Sequence, residues 1–186
     1  MPLIRKARRV PGHGLVWRDA RPADAAFILS LRTDETKNRY LSSVADDLQA
    51  QAAWLDAYQQ RPGEAYFIIA SRNGPDLGTV RLYDAQGDSF CWGSWILGDA
   101  RPAAAAMESA LMVYAYAQDT LGFKHAHFQV HKKNERVCAF HERFGAERVA
   151  QDGDDFQYVL SEACIRTARD RYARFLPGAL VVDGLV

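Results

Sequence analysis

The chain has 186 residues, 48% of them hydrophobic and 25% charged, enough apolar material for one domain with a sizeable core. Its 23 basic and 23 acidic residues cancel to a formal net charge of +0, so no overall field draws it to nucleic acid or to an anionic membrane. No apolar run approaches the length that crosses a bilayer, and no apolar segment follows the charged first residues as a secretory signal requires, which points to a cytoplasmic protein.

Residues 1–14 hold Arg5, Lys6, Arg8 and Arg9 among Pro and Gly, the composition of a loose, solvated basic arm. Leu15 to Arg18 reads as a first strand. Arg21-Pro22-Ala23-Asp24 is a turn into a helix whose apolar face is Phe27, Ile28 and Leu31. A second helix follows Asp46-Asp47, with Leu48, Ala52 and Leu55 on one stripe. Acidic residues suit its positive end, and Pro62-Gly63 stops it. The hydrophobic period then shortens to that of a strand. Ala65 to Ser71, Leu77 to Tyr83 and Ser89 to Leu97 are separated by the turn clusters Asn73-Gly74-Pro75-Asp76 and Ala85-Gln86-Gly87-Asp88, and read as an antiparallel meander.

A long helix follows the turn at Arg101. Met107, Ala110, Leu111, Tyr114, Ala117 and Leu121 form its stripe, and Gly122 ends it. His125 to His131 is a strand, and Asn134 caps a helix carrying Val137, Phe140 and Phe144. Two closing strands lie at 146–150 and 156–160. In Glu162 to Leu176, Ile165, Ala168, Tyr172 and Phe175 recur at helical spacing, and an apolar tail follows Pro177-Gly178. Residues 162–186 therefore pack on the domain or on a second subunit, the latter giving a homodimer. Cys91, Cys138 and Cys164 are odd in number and widely spaced, which argues against a disulfide framework or a metal site and for a reduced protein.

A strand that feeds a helix N-terminus makes an anion-binding corner. Here the strand Trp92-Gly93-Ser94-Trp95-Ile96-Leu97 leads into Arg101-Pro102-Ala103-Ala104-Ala105-Ala106, with Glu108, Tyr116-Ala117 and Leu121-Gly122 downstream and NERVCAFHERFGA beginning at Asn134. In this order of elements, the stretch from about residue 15 to 160 resembles the GNAT (Gcn5-related N-acetyltransferase) family. The resemblance implies an α+β fold over residues 15–161, a mixed central sheet of about seven strands flanked by helices, with acetyl-CoA as co-substrate and no metal. It implies that Arg101, Ala103, Ala104, Ala105 and Ala106 hold the pyrophosphate. Ile96 and Leu97 would pair with the pantetheine arm through their backbones, and Asn134 would contact it. Ala104 stands where the family usually has Gly. His141 stands where many members have a Tyr that protonates the departing thiolate. Cys91 replaces a Glu that several relatives carry, leaving Asp84 and His131 as candidate bases for the attacking amine.

The segment from Ser30 to Tyr58, with Leu31-Arg32-Thr33 and Gln51 three residues before Trp54, is similar to GNAT members that acetylate amino groups of nucleotide-linked deoxysugars. Ribosomal-protein-alanine acetyltransferases share much of it. The resemblance puts Arg32, Arg39, Tyr40 and Trp54 on the acceptor side, and Trp92 with Trp95 either walls that pocket or fills the core. The expectation is an acetyl-CoA-dependent N-acetyltransferase. It acts by direct transfer on a primary amine of a small molecule, such as a nucleotide-linked amino sugar, with no nucleic-acid or membrane partner. The alternatives are a protein N-terminal acetyltransferase and a GNAT-fold binding module without catalysis.

Overall fold

The computed structural model describes residues 1–37, 39–40 and 44–186. One mixed sheet of nine strands runs through them: β1 (Ala7–Pro11), β2 (Leu15–Asp19), β3 (Ala65–Ser71), β4 (Asp76–Gln86), β5 (Ser89–Leu97), β6 (His125–His131), β7 (Glu147–Asp152), β8 (Asp155–Leu160) and β9 (Asp183–Leu185). Their order across the sheet is β7-β8-β6-β5-β4-β3-β2-β1-β9, and only β5 and β6 pair in parallel. The helices are α1 (Ala25–Arg32), α2 (Leu48–Gln60), α3 (Ala105–Ala115), α4 (Glu135–Arg143) and α5 (Glu162–Arg171). The expected mixed sheet flanked by helices is therefore the observed fold. Among the described residues no helix is long and apolar enough to cross a membrane.

The two faces of the sheet carry separate cores. On one face Trp17, Phe67, Val80, Phe90 and Trp92 pack against α3 and the C-terminal residues. Helix α3 is apolar all round, and a helix with no polar stripe must be covered on every side. The turn at Ala173–Phe175 supplies part of that cover, and Ile165 and Ala168 of α5 are buried beside it. On the other face α1 and α2 cover Tyr66 and Ile68 of β3 through Ile28, Leu55 and Tyr58. The buried stripe of α2 is Gln51, Leu55 and Tyr58, while Leu48 is exposed, a one-position rotation from the stripe expected.

Residues 1–14 are not a loose arm. Ile4, Ala7 and Val10 are buried, β1 pairs with both β2 and β9, and the Lys6 ammonium donates to the carbonyls of Tyr58, Gln59 and Arg61 at 2.6, 3.0 and 2.8 Å. It thus satisfies the carbonyls that the end of α2 leaves open. Three apolar residues without strict alternation give too weak a pattern to mark this strand. The sheet gains β1 and β9 beyond the seven strands expected for the same reason.

Two irregularities shape the centre of the sheet. Pairing of β4 with β5 jumps from Arg81 opposite Gly93 to Thr79 opposite Ile96, so Ser94 and Trp95 together face Val80. This bulge places Ser94 at φ 45°, and the Thr79 hydroxyl donates to the Ser94 carbonyl at 2.7 Å. Residues three apart on a regular strand point to opposite faces, but the extra residue lets Trp92 and Trp95 share the α3 face. The second irregularity is a wedge. Pairing of β5 with β6 ends at Cys91 and His127, while β5 continues to Leu97 and β6 to His131.

Candidate active site

The wedge opens toward the turn that starts α3. There the Arg101 guanidinium donates to the Gly98 carbonyl at 3.1 Å, and the Ala105 amide donates to the Pro102 carbonyl at 3.0 Å. Ala104 is the N-cap at φ −77° and ψ −14°, ordinary right-handed geometry in which an alanine methyl carries no strain. A glycine is therefore not needed at this turn. Ala103 is exposed, and the first-turn amides of a helix favour an anion. Glu108, the acidic residue of that first turn, faces away. It is buried and accepts the amides of Gly14 and Leu15 at 2.8 and 2.9 Å, tying α3 to the β1–β2 hairpin. This corner thus suits an anionic group.

Ile96, buried against the α1 side, and Leu97, packed on the larger core, form the β5 edge of the wedge. Asn134 opens α4 beyond β6. Its side chain makes no cap hydrogen bond, contrary to expectation, and its backbone carbonyl accepts from Val137 and Cys138 at 3.0 Å each. The carboxamide is thus not committed to the helix.

Aromatic rings floor the wedge on the α3 side. Trp92 lies edge-on to Tyr114 and Phe128, with centroids 5.7 and 6.1 Å away. At 4% exposure Trp92 is a core residue, which corrects its expected place in the acceptor pocket. Its cross-strand partner Leu82 lies in the same core, so the register of β4 with β5 sets the Trp92 ring on the helix side. His141 stands among Phe128, Trp92 and Phe140, at 4.2, 5.3 and 5.6 Å between ring centroids. Burial pushes its pKa down to about 3, and its Nδ1 has no hydrogen-bond partner among the described residues. The ring is neutral at neutral pH. It can offer one N–H to a developing charge, but it carries no readily given second proton.

The opposite face holds a cavity of about 200 Å³ lined by Arg32, Val44, Gln51, Trp54, Tyr66, Arg81 and Ser94. Arg32 reaches the Ser94 hydroxyl at 3.5 Å. Trp54 is stacked on Tyr58 and lies under the guanidinium of Arg81 at 5.1 Å. Arg81 Nε donates to Glu64 at 2.8 Å, and Arg61 approaches the same buried carboxylate at 3.3 Å. Arg32 and Trp54 therefore come together here, with Gln51 of the same sequence motif and with Arg81, which sequence reasoning missed. Period-two alternation in β4 was the available signal for Arg81, because it places Thr79, Arg81 and Tyr83 on one face. Tyr40 lies elsewhere. It stacks on His131 at 5.1 Å, in a separate recess with Arg39 and Lys133.

The two candidate bases are apart as well. The His131 Nδ1 accepts the Lys133 amide at 3.2 Å near the open end of the wedge. Asp84, at φ 49° on a bulge of β4, lies at the closed end, where its Oδ2 is 3.3 Å from Nε2 of His127. The other ring nitrogen of His127 is 2.8 Å from Ser89 Oγ. Beside them Cys91 is buried, and burial pushes its thiol pKa up, away from the thiolate form.

An Acetyltransferase (GNAT) domain description matches residues 15–147. A solved structure described as apo FdhC, a nucleotide-linked sugar GNAT, is 38% identical and superposes with a TM-score of 0.82, covering 90% of this chain and 98% of that one. A GCN5-related N-acetyltransferase from Brucella melitensis shares the fold at 16% identity and a TM-score of 0.77, over 95% of this chain and 89% of its own. Spermidine N-acetyltransferase from Vibrio cholerae, in complex with CoA and spermine, does so at 14% identity and 0.71, over 82% and 98%. No match was found among curated proteins. With a domain match over most of its length and a relative at this identity, the chain belongs to the GNAT acetyltransferase family.

Proposed function

We propose that the chain is an acetyl-CoA-dependent N-acetyltransferase acting on the primary amine of a small molecule, a nucleotide-linked amino sugar in the first place. The observation that carries this reading is the wedge between β5 and β6. Its open end meets the α3 turn, and the face beside it carries the acceptor cavity. The amides of Ala103, Ala104, Ala105 and Ala106, with Arg101, would hold the pyrophosphate. The backbones of Ile96 and Leu97 and the Asn134 carboxamide would hold the pantetheine arm. Acetyl-CoA supplies the acetyl group as a thioester.

Direct transfer suits the site, because the Cys91 thiol is held protonated by burial and is a poor nucleophile. The neutral His141 ring is a hydrogen-bond donor in this account, not an acid. Arg32 and Arg81 beside Trp54 suit an acceptor with phosphate oxygens and a flat ring. The 38% identical relative, a nucleotide-linked sugar GNAT, supports the same choice.

The test is release of free thiol from acetyl-CoA with nucleotide-linked amino sugars, free amino sugars, polyamines and N-terminal peptides as acceptors. The proposal expects saturable release with the nucleotide-linked amino sugars. Release only with peptides would move the chain to the protein-modifying enzymes. Tight acetyl-CoA binding with no release from any amine would leave a binding module.

A further inference from the structure

We propose that His127, set between Asp84 and Ser89 at the closed end of the wedge, takes the proton of the attacking amine, an inference that rests on the acyl-transfer reading above. The position follows from register. Cys91 and His127 are the last paired residues of β5 and β6, so both stand where the two strands begin to part. Directly opposed residues share a face. The imidazole therefore lies on the face of Cys91, next to the place where the bound thioester would end, because the arm enters from the open end.

The surroundings are arranged for accepting a proton. The Asp84 carboxylate can only accept, so its 3.3 Å contact assigns the ring proton to Nε2. The lone pair then sits on Nδ1 and accepts the Ser89 hydroxyl at 2.8 Å. His127 is shielded but not sealed, with 21% of its side chain exposed, whereas His141 is shut in the aromatic floor. Around it the titratable groups are Asp84 and Tyr83 on β4, Cys91 on β5, and His125 on its own strand with Asp88 at 3.9 Å. The facing residue on β8 is Val159, which brings no charge.

The amine nitrogen attacks the thioester carbonyl carbon. The C–N bond forms, and the C–S bond breaks to release the thiolate, which takes its proton from solvent. The proton lost by nitrogen passes to Nδ1 of His127, across the Ser89 hydroxyl or a water in its place. The imidazolium is stabilised by Asp84 until it gives that proton to solvent. Asp84 is in this account a positioning residue and not the base.

The experiment compares wild type with His127→Gln, Ser89→Ala and Asp84→Asn. Each is followed by acetyl-CoA calorimetry, by thiol release across pH, and by nitrogen-15 NMR of the histidine rings in the free chain. The expected result for His127→Gln is a fall in kcat of about 100-fold, with acetyl-CoA affinity within about threefold of wild type. The acidic limb of the rate profile disappears. The milder Asp84→Asn lowers kcat at unchanged acetyl-CoA affinity and loosens the ring proton from Nε2 in the NMR spectrum, since an amide can also donate to that nitrogen. In the NMR spectrum the His127 proton resides on Nε2. His127→Gln with wild-type kcat or an unchanged acidic limb, or a wild-type ring protonated on Nδ1 instead, would overturn the proposal while leaving the acyltransferase reading intact. A wild-type chain that transfers to no amine would overturn both.

Discussion

Arg81 donates from Nε to the Glu64 carboxylate at 2.8 Å, and Glu64 is only 6% exposed. The ion pair holds the Arg81 guanidinium over the Trp54 ring in the proposed acceptor cavity. Arg81→Leu leaves a buried carboxylate with only the more distant Arg61 as partner, a change that costs about 3–5 kcal/mol. Replacing both residues by Leu recovers most of that loss, because the double variant buries no charge. Denaturant unfolding of the two variants checks this, and a single variant as stable as wild type would contradict it.

Gly78 pairs with Leu97 just beyond the bulge, and a Cβ there would stand 2.1 Å from the Ile96 carbonyl oxygen. Neither backbone can yield without pulling β4 off β5. Gly78→Ala is expected to lower Tm by roughly 5 °C and to weaken acetyl-CoA binding, because the strand edge carrying Ile96 and Leu97 moves with the bulge. Calorimetry and thermal unfolding read the two effects on one variant.

The Ala104 geometry gives a paired prediction. With φ at −77°, the turn uses none of glycine's extra conformations, so Ala104→Gly leaves acetyl-CoA affinity within about threefold. Ala104→Asp puts a carboxylate beside the pyrophosphate and lowers affinity by more than about tenfold. A large gain from the glycine would show that the methyl group obstructs the phosphates.

His141 makes stability depend on pH. Its folded pKa is held at about 3 by burial, whereas an exposed histidine titrates near about 6.5. Between those values the unfolded chain binds the extra proton, so this contribution is fully present above about pH 6.5 and is lost as pH falls toward 3. The slope reaches about 1.4 kcal/mol per pH unit. His141→Phe removes it, so urea midpoints of wild type and variant should diverge from pH 7 to pH 5, with wild type falling faster. Parallel curves would show that the ring is solvated in the folded state.

The elements most legible in the sequence were those with a regular hydrophobic period. The meander from Ala65 to Leu97 and the stripe of α3 follow directly from spacing, and Gly122 ends the helical stretch at φ 82°. The strand β1 was not legible, because part of its stability comes from pairing with β9 and from the Lys6 contacts, partners distant in sequence. The same holds for the site. Arg101 and Asn134 were marked by local pattern, but the pairing of Trp92 with Leu82 in the core, and the bulge that brings Trp95 to the same face, are matters of cross-strand register. His127 was hidden similarly. Its neighbours Asp84 and Ser89 lie 43 and 38 residues away in the chain, and only the parallel pairing of β5 with β6 brings them together.

The most direct test of the central claim is isothermal titration of the chain with acetyl-CoA, repeated on Ala104→Asp. The account predicts one site per chain with Kd between about 1 μM and 1 mM, weakened more than about tenfold in the variant. Absence of saturable heat from wild type at millimolar acetyl-CoA, or equal binding by both proteins, would contradict it.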